Sequence, residues 1–287
     1  VKEIVVLSGK GGTGKTSIVG SFAASASNTV LADCDVDAAD LHLLIKPVIQ
    51  QTHEFWSGQL AVIDGDKCTQ CGLCEEQCRF KAINDFKVDS PSCEGCRFCA
   101  QICPVNAITM RERLSGHWFI SETKYGPLVH ARLGIAQENS GKLVATVRQQ
   151  AKEIADKQKL DYIISDGPPG IGCPVISSIS GVNLALLVTE PTLSGMHDLE
   201  RIIGVCRHFS VPALVCINKF DINEINSRNI ETYCHNEGAD VIARIPFDNV
   251  FTEAMVHGLP VVEYSDGLVS RQLSLLWQNV AEILKRT

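Results

Sequence analysis

Residues 1–17 read Val-Lys-Glu-Ile-Val-Val-Leu-Ser-Gly-Lys-Gly-Gly-Thr-Gly-Lys-Thr-Ser, and this stretch decides the fold. Ile4 to Leu7 form a short apolar run with β-branched residues, the composition of a strand buried on both faces of a parallel sheet. Gly9 to Thr16 then match Gly-x-x-x-x-Gly-Lys-[Ser/Thr] at every fixed position. Glycines let backbone N–H groups turn toward one point, Lys15 adds a cation for β and γ phosphates, and the Thr16 hydroxyl is placed to ligate Mg²⁺. A small-residue helix predicted over Thr13 to Ala26 points its positive end at the same spot. Gly9, Gly11, Gly12, Thr13, Gly14, Lys15, Thr16 and Ser17 are therefore candidate nucleotide-binding residues.

The whole chain, 287 residues with 45% hydrophobic and 21% charged, reads as a globular protein with ample core, in one large domain or two modest ones. A net charge of -7 argues against nonspecific nucleic-acid binding. No apolar run approaches the roughly 18 residues of a membrane span, and no signal peptide precedes the first strand, so the expected location is cytoplasmic. Thirteen cysteines in such a setting point to metal or redox chemistry before disulfides.

Along the chain, Thr29 to Ala32 is a strand ending in Asp33-Cys34-Asp35-Val36-Asp37, which puts acids at the carboxyl end, where open parallel sheets bind ligands. An acidic turn cap is the plainer alternative. Asp161-Tyr-Ile-Ile-Ser-Asp166-Gly-Pro-Pro-Gly170 is an apolar strand closing on aspartate and a Gly/Pro loop, the pattern of a Walker B strand and switch II. Asp166 is the candidate for the Mg²⁺ shell, and Gly170 lets backbone approach the γ-phosphate. Leu184 to Thr189 and Ala213 to Ile217 complete the parallel strands, with a helix over Leu199 to Phe209. Trp118–Ile120 and Leu128–Ala131 suggest a hairpin turned at Tyr125-Gly126-Pro127. Ser140 to Lys157 and Leu268 to Arg286 are amphipathic helices. The polar face of the last one is too poor in basic residues for membrane attachment. The fold class expected is α/β: a doubly wound, mainly parallel sheet.

That pattern is interrupted between about Ile63 and Arg113. Cys68-x2-Cys71-x2-Cys74-x3-Cys78 recurs 25 residues later as Cys93-x2-Cys96-x2-Cys99-x3-Cys103-Pro104, and Ala82-Ile83 recurs as Ala107-Ile108. An internal repeat of this kind predicts a pseudo-symmetric module. Zinc is the competing metal, but a tetrahedral site needs two pairs with a longer loop between them, and the third close cysteine of each run suits a cluster better. His117 and His130 are read as hairpin residues. Cys173 lies near a helix start where a thiolate is stabilised, with plain packing as the alternative. Cys34, Cys206, Cys216 and Cys234 are read as packing residues.

Lys10 narrows the reading. Lys-Gly-Gly-Thr-Gly-Lys-Thr (residues 10–16) resembles the deviant Walker A of the MinD, ParA and nitrogenase iron protein superfamily, and Asp166-Gly-Pro-Pro-Gly170 resembles the Asp-x-Pro-Pro-Gly of Mrp-type and cytosolic iron-sulfur scaffold ATPases. This resemblance implies a homodimer with ATP at its interface, in which Lys10 reaches the partner's nucleotide; Lys10, Lys15 and Asp35 become the catalytic candidates, Asp35 orienting the attacking water. A solvated loop lysine is the plainer reading of Lys10. Asn218-Lys219-Phe220-Asp221 equals the guanine-reading motif of GTPases, whereas in MinD-like proteins the same strand end places Asn218 against adenine with Ile245-Pro246 nearby, and ATP is preferred.

The cysteine runs and their closing proline resemble the bacterial two-cluster ferredoxin. That resemblance implies two 4Fe-4S clusters, one on Cys68, Cys71, Cys74 and Cys103 and the other on Cys93, Cys96, Cys99 and Cys78. Arg79 departs from the pattern, standing where proline is usual, which can alter the second cluster's exposure or potential. The domain organisation expected is thus an ATPase first part at 1–62, an inserted α+β ferredoxin-like domain at 63–113 and an ATPase second part at 114–287. Three functions follow: an ATP-gated electron carrier, an iron-sulfur assembly carrier, or a positioning or regulatory ATPase that senses redox state. Each needs an unidentified redox or iron-sulfur partner protein. The assembly carriers hold a labile cluster on a late Cys-x-x-Cys, and none follows Cys103 here.

Overall fold

The computed structural model describes residues 1–134 and 140–286. The chain runs β1 (Lys2–Ser8), α1 (Lys15–Ser25), β2 (Thr29–Asp33), α2 (Leu41–Ile45), β3 (Val48–Ile63), α3 (Leu73–Glu76), β4 (Ile83–Asn84), β5 (Lys87–Val88) and α4 (Phe98–Ile102). It continues β6 (Ile108–Thr123), β7 (Gly126–Leu133), α5 (Ser140–Gln158), β8 (Tyr162–Pro169), α6 (Cys173–Ile179), β9 (Leu184–Thr189) and α7 (Leu193–His208). Last come β10 (Ala213–Asn218), α8 (Glu224–Asn236), β11 (Asp240–Ile245), α9 (Val250–His257), α10 (Val261–Tyr264) and α11 (Leu268–Arg286). Two compact units result: 1–52, 118–131 and 140–286 in the first, and 53–117 with 132–134 in the second, among the described residues. The second unit contains all of 63–113 and begins earlier, because the chain leaves the first unit inside β3 and re-enters it inside β6.

The sheet has the order β11-β10-β9-β1-β8-β2-β7-β6-β3, and every pairing from β11 to β7 is parallel. Side chains alternate across a strand, so β1 feeds two cores. Ile4 and Val6 join Ile18, Phe22, Leu273 and Trp277 on one face, and Val5 and Leu7 join Val175, Ile179, Leu199 and Ile202 on the other. This is why the Ile4–Leu7 run is apolar without alternation. The stripe of α11, Val269, Leu273, Trp277, Val280 and Leu284, is buried in the first of these cores, with Trp277 against Phe22 at a ring separation of 5.2 Å and against Tyr162 at 5.5 Å. No helix among the described residues is long and apolar enough to cross a membrane.

Several elements differ from expectation. Helix α1 starts at Lys15, not Thr13, because Gly14 takes a left-handed conformation (φ 92°) that ends the loop. Helix α7 starts at Leu193, six residues before Leu199, where the Thr192 hydroxyl caps it by accepting from Gly195 N–H. Strand β11 extends the parallel sheet at an edge; its half-exposed Asp-Val-Ile-Ala-Arg-Ile lacks a buried strand's signature. Strand β3 spans 16 residues, starting with an exposed segment, Val-Ile-Gln-Gln-Thr, that shows no apolar alternation.

One buried ion pair ties β1 to α5. Glu3, 3% exposed, accepts from Arg148 Nε at 2.7 Å and Nη2 at 2.9 Å, and the same guanidinium donates to the Ser177 and Ser180 carbonyls at 2.6 and 2.9 Å. Truncating one partner strands a buried carboxylate and two carbonyls, which costs about 3–5 kcal/mol. Arg148→Met is accordingly expected to lower unfolding free energy by that amount in urea titration, with secondary structure retained in dilute buffer.

Candidate functional site

The first unit gathers its site at the carboxyl ends of the central strands. Register pairs Val6 and Asp33 with Asp166, so the loop after β1, the acids after β2 and the end of β8 arrive together. Gly12 (φ 78°) and Gly14 turn the loop. A Cβ on Gly14 would stand 2.6 Å from Asn218 Nδ2, and one on Gly9 would overlap Asp198, so neither position admits a side chain without displacement. Asn218 Nδ2 donates to Thr13 O at 2.9 Å and its Oδ1 accepts from Lys219 N–H at 3.0 Å. Both ends of the Asn218 carboxamide are thus engaged by the protein, and the residue braces the loop against β10. A cavity of about 310 Å³ opens here, with Gly12, Lys15, Thr16 and Ser17 on one side and Phe247, Phe251 and Met255 on the other.

Charge in this site is unbalanced. Lys15, Asp33 and Asp166 are 6%, 1% and 1% exposed. Burial pushes the Asp166 carboxyl up to about 6, against the pull of Lys15 and a hydrogen bond from Thr16. Burial, then the charges of Asp166 and Asp35, holds Asp33 well above the usual carboxylate range. Asp35 is raised by its own partial burial, opposed by Lys15. Asp166 Oδ1 and Asp33 Oδ2 are buried without a hydrogen-bond partner. A cation at this point would neutralise what Lys15 leaves over, so the donor set fits Mg²⁺ held through Thr16 and Asp166.

Other candidates sit apart from the cavity. Lys10 Nζ lies 3.1 Å from Glu190 Oε2 and 3.4 Å from Thr192 Oγ1, while Lys219 Nζ pairs with the other oxygen of Glu190. Burial alone would raise Glu190, yet the hydrogen bonds from Lys219 and Lys10 hold its carboxyl below the usual value. Gly170 N–H donates to Ser8 O at 3.0 Å. Pro246 precedes Phe247, whose N–H donates to Asp221 Oδ1 at 2.7 Å, so one oxygen of the carboxylate that reads guanine in GTPases here accepts from the backbone. Glu190 and Asp198 escaped the sequence reading; Glu190 was findable, because it follows β9 at the carboxyl end of a central parallel strand.

The second unit repeats itself at atomic level. Left-handed backbone recurs 25 residues apart at Gln70 and Gly95, at Gly72 and Arg97, and at Lys81 and Asn106. The bonds Ala82 N–H to Cys78 Sγ (3.4 Å) and Ala107 N–H to Cys103 Sγ (3.3 Å) are equivalent. So are Asp64 N–H to Ala107 O (2.8 Å) and Asp89 N–H to Ala82 O (2.7 Å), and these last two cross between repeats. The segment entering Cys68 is held to the one leaving Cys103, and the segment entering Cys93 to the one leaving Cys78. Two cavities result. Cys68, Cys71, Cys74 and Cys103 wall one, of about 10 Å³; Cys78, Cys93, Cys96 and Cys99, with Cys74 alongside, wall the other, of about 370 Å³. Burial raises the Cys74 and Cys99 thiols, again an equivalent pair. Among the described residues, no three His, Cys, Asp or Glu side chains converge on a single-ion site. Amide donation to sulfur and fourfold thiol walls fit 4Fe-4S groups, with each cavity drawing its fourth cysteine from the other repeat.

Comparison with known proteins agrees with this architecture. Residues 4–261 match the CobQ/CobB/MinD/ParA nucleotide binding domain model. An uncharacterized protein of Methanocaldococcus jannaschii, MJ0578, is 34% identical over 99% of this chain and 98% of its own length. The iron-sulfur cluster carrier protein of Pyrococcus horikoshii is 22% identical, covering 99% of this chain and 86% of its own. Pyruvate synthase subunit PorD of M. jannaschii is 39% identical over 59 residues, 19% of this chain and 69% of its own. Among solved structures, P. horikoshii MinD complexed with Mg-ADP superposes with a TM-score of 0.58 at 18% identity, covering 98% of this chain and 96% of that one. A match over residues 4–261 takes in the phosphate loop, Asp166 and Asn218 alike: the chain belongs to the CobQ/CobB/MinD/ParA family of nucleotide-binding domains.

Proposed function

We propose that this protein is an ATP-hydrolysing iron-sulfur protein, a nucleotide-gated homodimer that couples its ATP state to electron transfer through two 4Fe-4S clusters. The observation that carries this reading is the pair of crossed four-cysteine cavities in a chain that also has a complete phosphate loop. When bound, the clusters supply one-electron chemistry. In the first unit, loop amides and Lys15 bind the phosphates, Thr16 and Asp166 hold the Mg²⁺, and Asp35 orients water. Lys10, held by Glu190 in the single chain, exchanges that carboxylate for the partner's phosphates on closure. A redox titration of the clusters with and without Mg-ATP tests the whole: nucleotide-dependent potentials or electron-transfer rates support gating.

A second reading, an iron-sulfur carrier, is favoured by the similarity to the P. horikoshii carrier protein. The discriminating outcome is transfer of the clusters to an acceptor apo-protein. Against it stands the absence of a Cys-x-x-Cys after Cys103.

Three results are expected. Anaerobically purified protein carries about eight irons and eight sulfides per chain by elemental and sulfide analysis, since two cubanes with four thiolates each are implied; a colourless, zinc-only preparation that stays so after anaerobic reconstitution overturns this. ATP outcompetes GTP, as the resemblance carried by Lys10 and the loop implies; a tenfold advantage for GTP in competition binding, about 1.4 kcal/mol, reverses the assignment. Lys10→Ala lowers turnover by about 10³-fold or more while nucleotide binding persists, whereas Lys15→Ala loses both. Mixing the two inactive variants restores partial activity, because a heterodimer has one site with an intact loop and a partner supplying Lys10. Wild-type turnover in Lys10→Ala refutes the shared-site dimer.

A further inference from the structure

The two four-cysteine sites are built from one repeated segment, yet their linings differ at six equivalent positions, Ala61 against Phe86 and five more. Around Cys78, Cys93, Cys96 and Cys99 stand Arg79, Phe80, Glu94, Arg97 and Phe98. Their counterparts 25 residues away, around Cys68, Cys71, Cys74 and Cys103, are Pro104, Val105, Thr69, Gly72 and Leu73. One site therefore has two guanidinium groups and one carboxylate at its rim, a net charge of +1, and the other has no charged side chain in its lining. Both arginines directly follow a cysteine of the site they border. Arg97 also occupies a left-handed conformation (φ 66°) that its counterpart meets with glycine (Gly72, φ 80°). Its Nε is fixed by Gln59 Oε1 at 2.6 Å. The charged site is also the roomier, about 370 Å³ against about 10 Å³.

From this asymmetry we infer that Arg79 and Arg97 make the Cys78–Cys93–Cys96–Cys99 site the higher-potential member of the pair, the one that accepts the first electron. The inference rests on the two-cluster reading above. One-electron reduction adds one negative charge to a cluster, supplied by any low-potential one-electron reductant. Nearby cations lower the free energy of that added charge. The site without a charged lining lacks that aid, so its reduction follows at lower potential.

The repeat itself supplies conservative tests. Arg79→Pro and Arg97→Gly install the residues found at 104 and 72, which the same backbone already accommodates. The full-length protein, reconstituted anaerobically with iron and sulfide, is titrated with dithionite under EPR detection. Wild type is expected to show two resolved one-electron steps. In the double variant the upper step falls by at least tenfold in its equilibrium constant, 59 mV for one electron, while the lower step stays. Arg97→Lys, which keeps the charge, leaves the upper step near its wild-type position, and Arg97→Gln, which needs no change of backbone, lowers it if the double variant fails to load. If wild type holds no iron after reconstitution, the two-cluster reading itself is wrong. If iron is present in full and the upper step does not move in the neutral variants, or the lower one moves instead, the assignment to the arginines is overturned and the cluster reading survives.

Discussion

The arrangement of the first unit depends on one imbalance: a nearly buried lysine set among more buried negative charge than it can offset. Lys15 is the cation, and Asp33, Asp35 and Asp166 are the anions, brought to one place by the parallel register of β1, β2 and β8. Each carboxyl is raised by its own burial, and Lys15 opposes that rise at Asp166 and Asp35. A raised folded-state pKa means that ionisation is harder in the fold than in the unfolded chain. For Asp166, with a folded value of about 6 against 3.8, stability is fully present at low pH and declines as pH rises through this window. At neutral pH the fold is therefore under electrostatic load. The Mg²⁺ proposed for this site would remove it, linking binding to folding through the same oxygens.

How much of this was legible in the residues follows from the range of each interaction. The loop, its Lys15 and Thr16, the acids at strand ends and the central strands could be read because each depends on contiguous sequence: an apolar run, a glycine pattern, a terminal aspartate. The α11 stripe was readable for the same reason, its helical period being local. Strand β11 and the start of β3 were not, since edge strands owe their existence to a neighbour and show no buried pattern of their own. The commitment of Asp221 to the Phe247 amide was invisible too, because it joins positions 26 apart through tertiary structure. The tetrapeptide shows none of this, since it carries no mark of the partner its aspartate takes.

In the second unit, legibility came from repetition. The 25-residue period announces pseudo-symmetry, but a period does not say which halves are exchanged. Backbone bonds answer that: Asp64 to Ala107 and Asp89 to Ala82 each join the start of one repeat to the end of the other. With those crossings in place, Cys103 lines the cavity of Cys68, Cys71 and Cys74, and Cys78 lines that of Cys93, Cys96 and Cys99. The crossed ligation proposed for the clusters thus has a frame of main-chain hydrogen bonds that do not involve the thiols. The repeat could then diverge at the rims, where Arg79 and Arg97 face Pro104 and Gly72, without disturbing the frame.

Glu190 links the loop to the rest of the first unit by the same logic of charge. Its two oxygens take Lys10 and Lys219, one lysine from the phosphate loop and one from the end of β10. Side-chain exposures of 31% for Lys10 and 13% for Glu190 place the pair between the water-screened and the buried regimes. Ion pairs at a fully exposed surface contribute about 1 kcal/mol or less, and here water screens the lysine more than the carboxylate. Such an interaction orients Lys10 in the single chain, and in the proposed dimer a nucleotide's phosphates, which carry more charge than one carboxylate, compete for it. Lys219 pairs with the other oxygen of Glu190, so in that scheme the carboxylate keeps a partner. The proposed exchange at Lys10 thus asks for the loss of one partly exposed ion pair and leaves the second one, between Glu190 and the end of β10, in place.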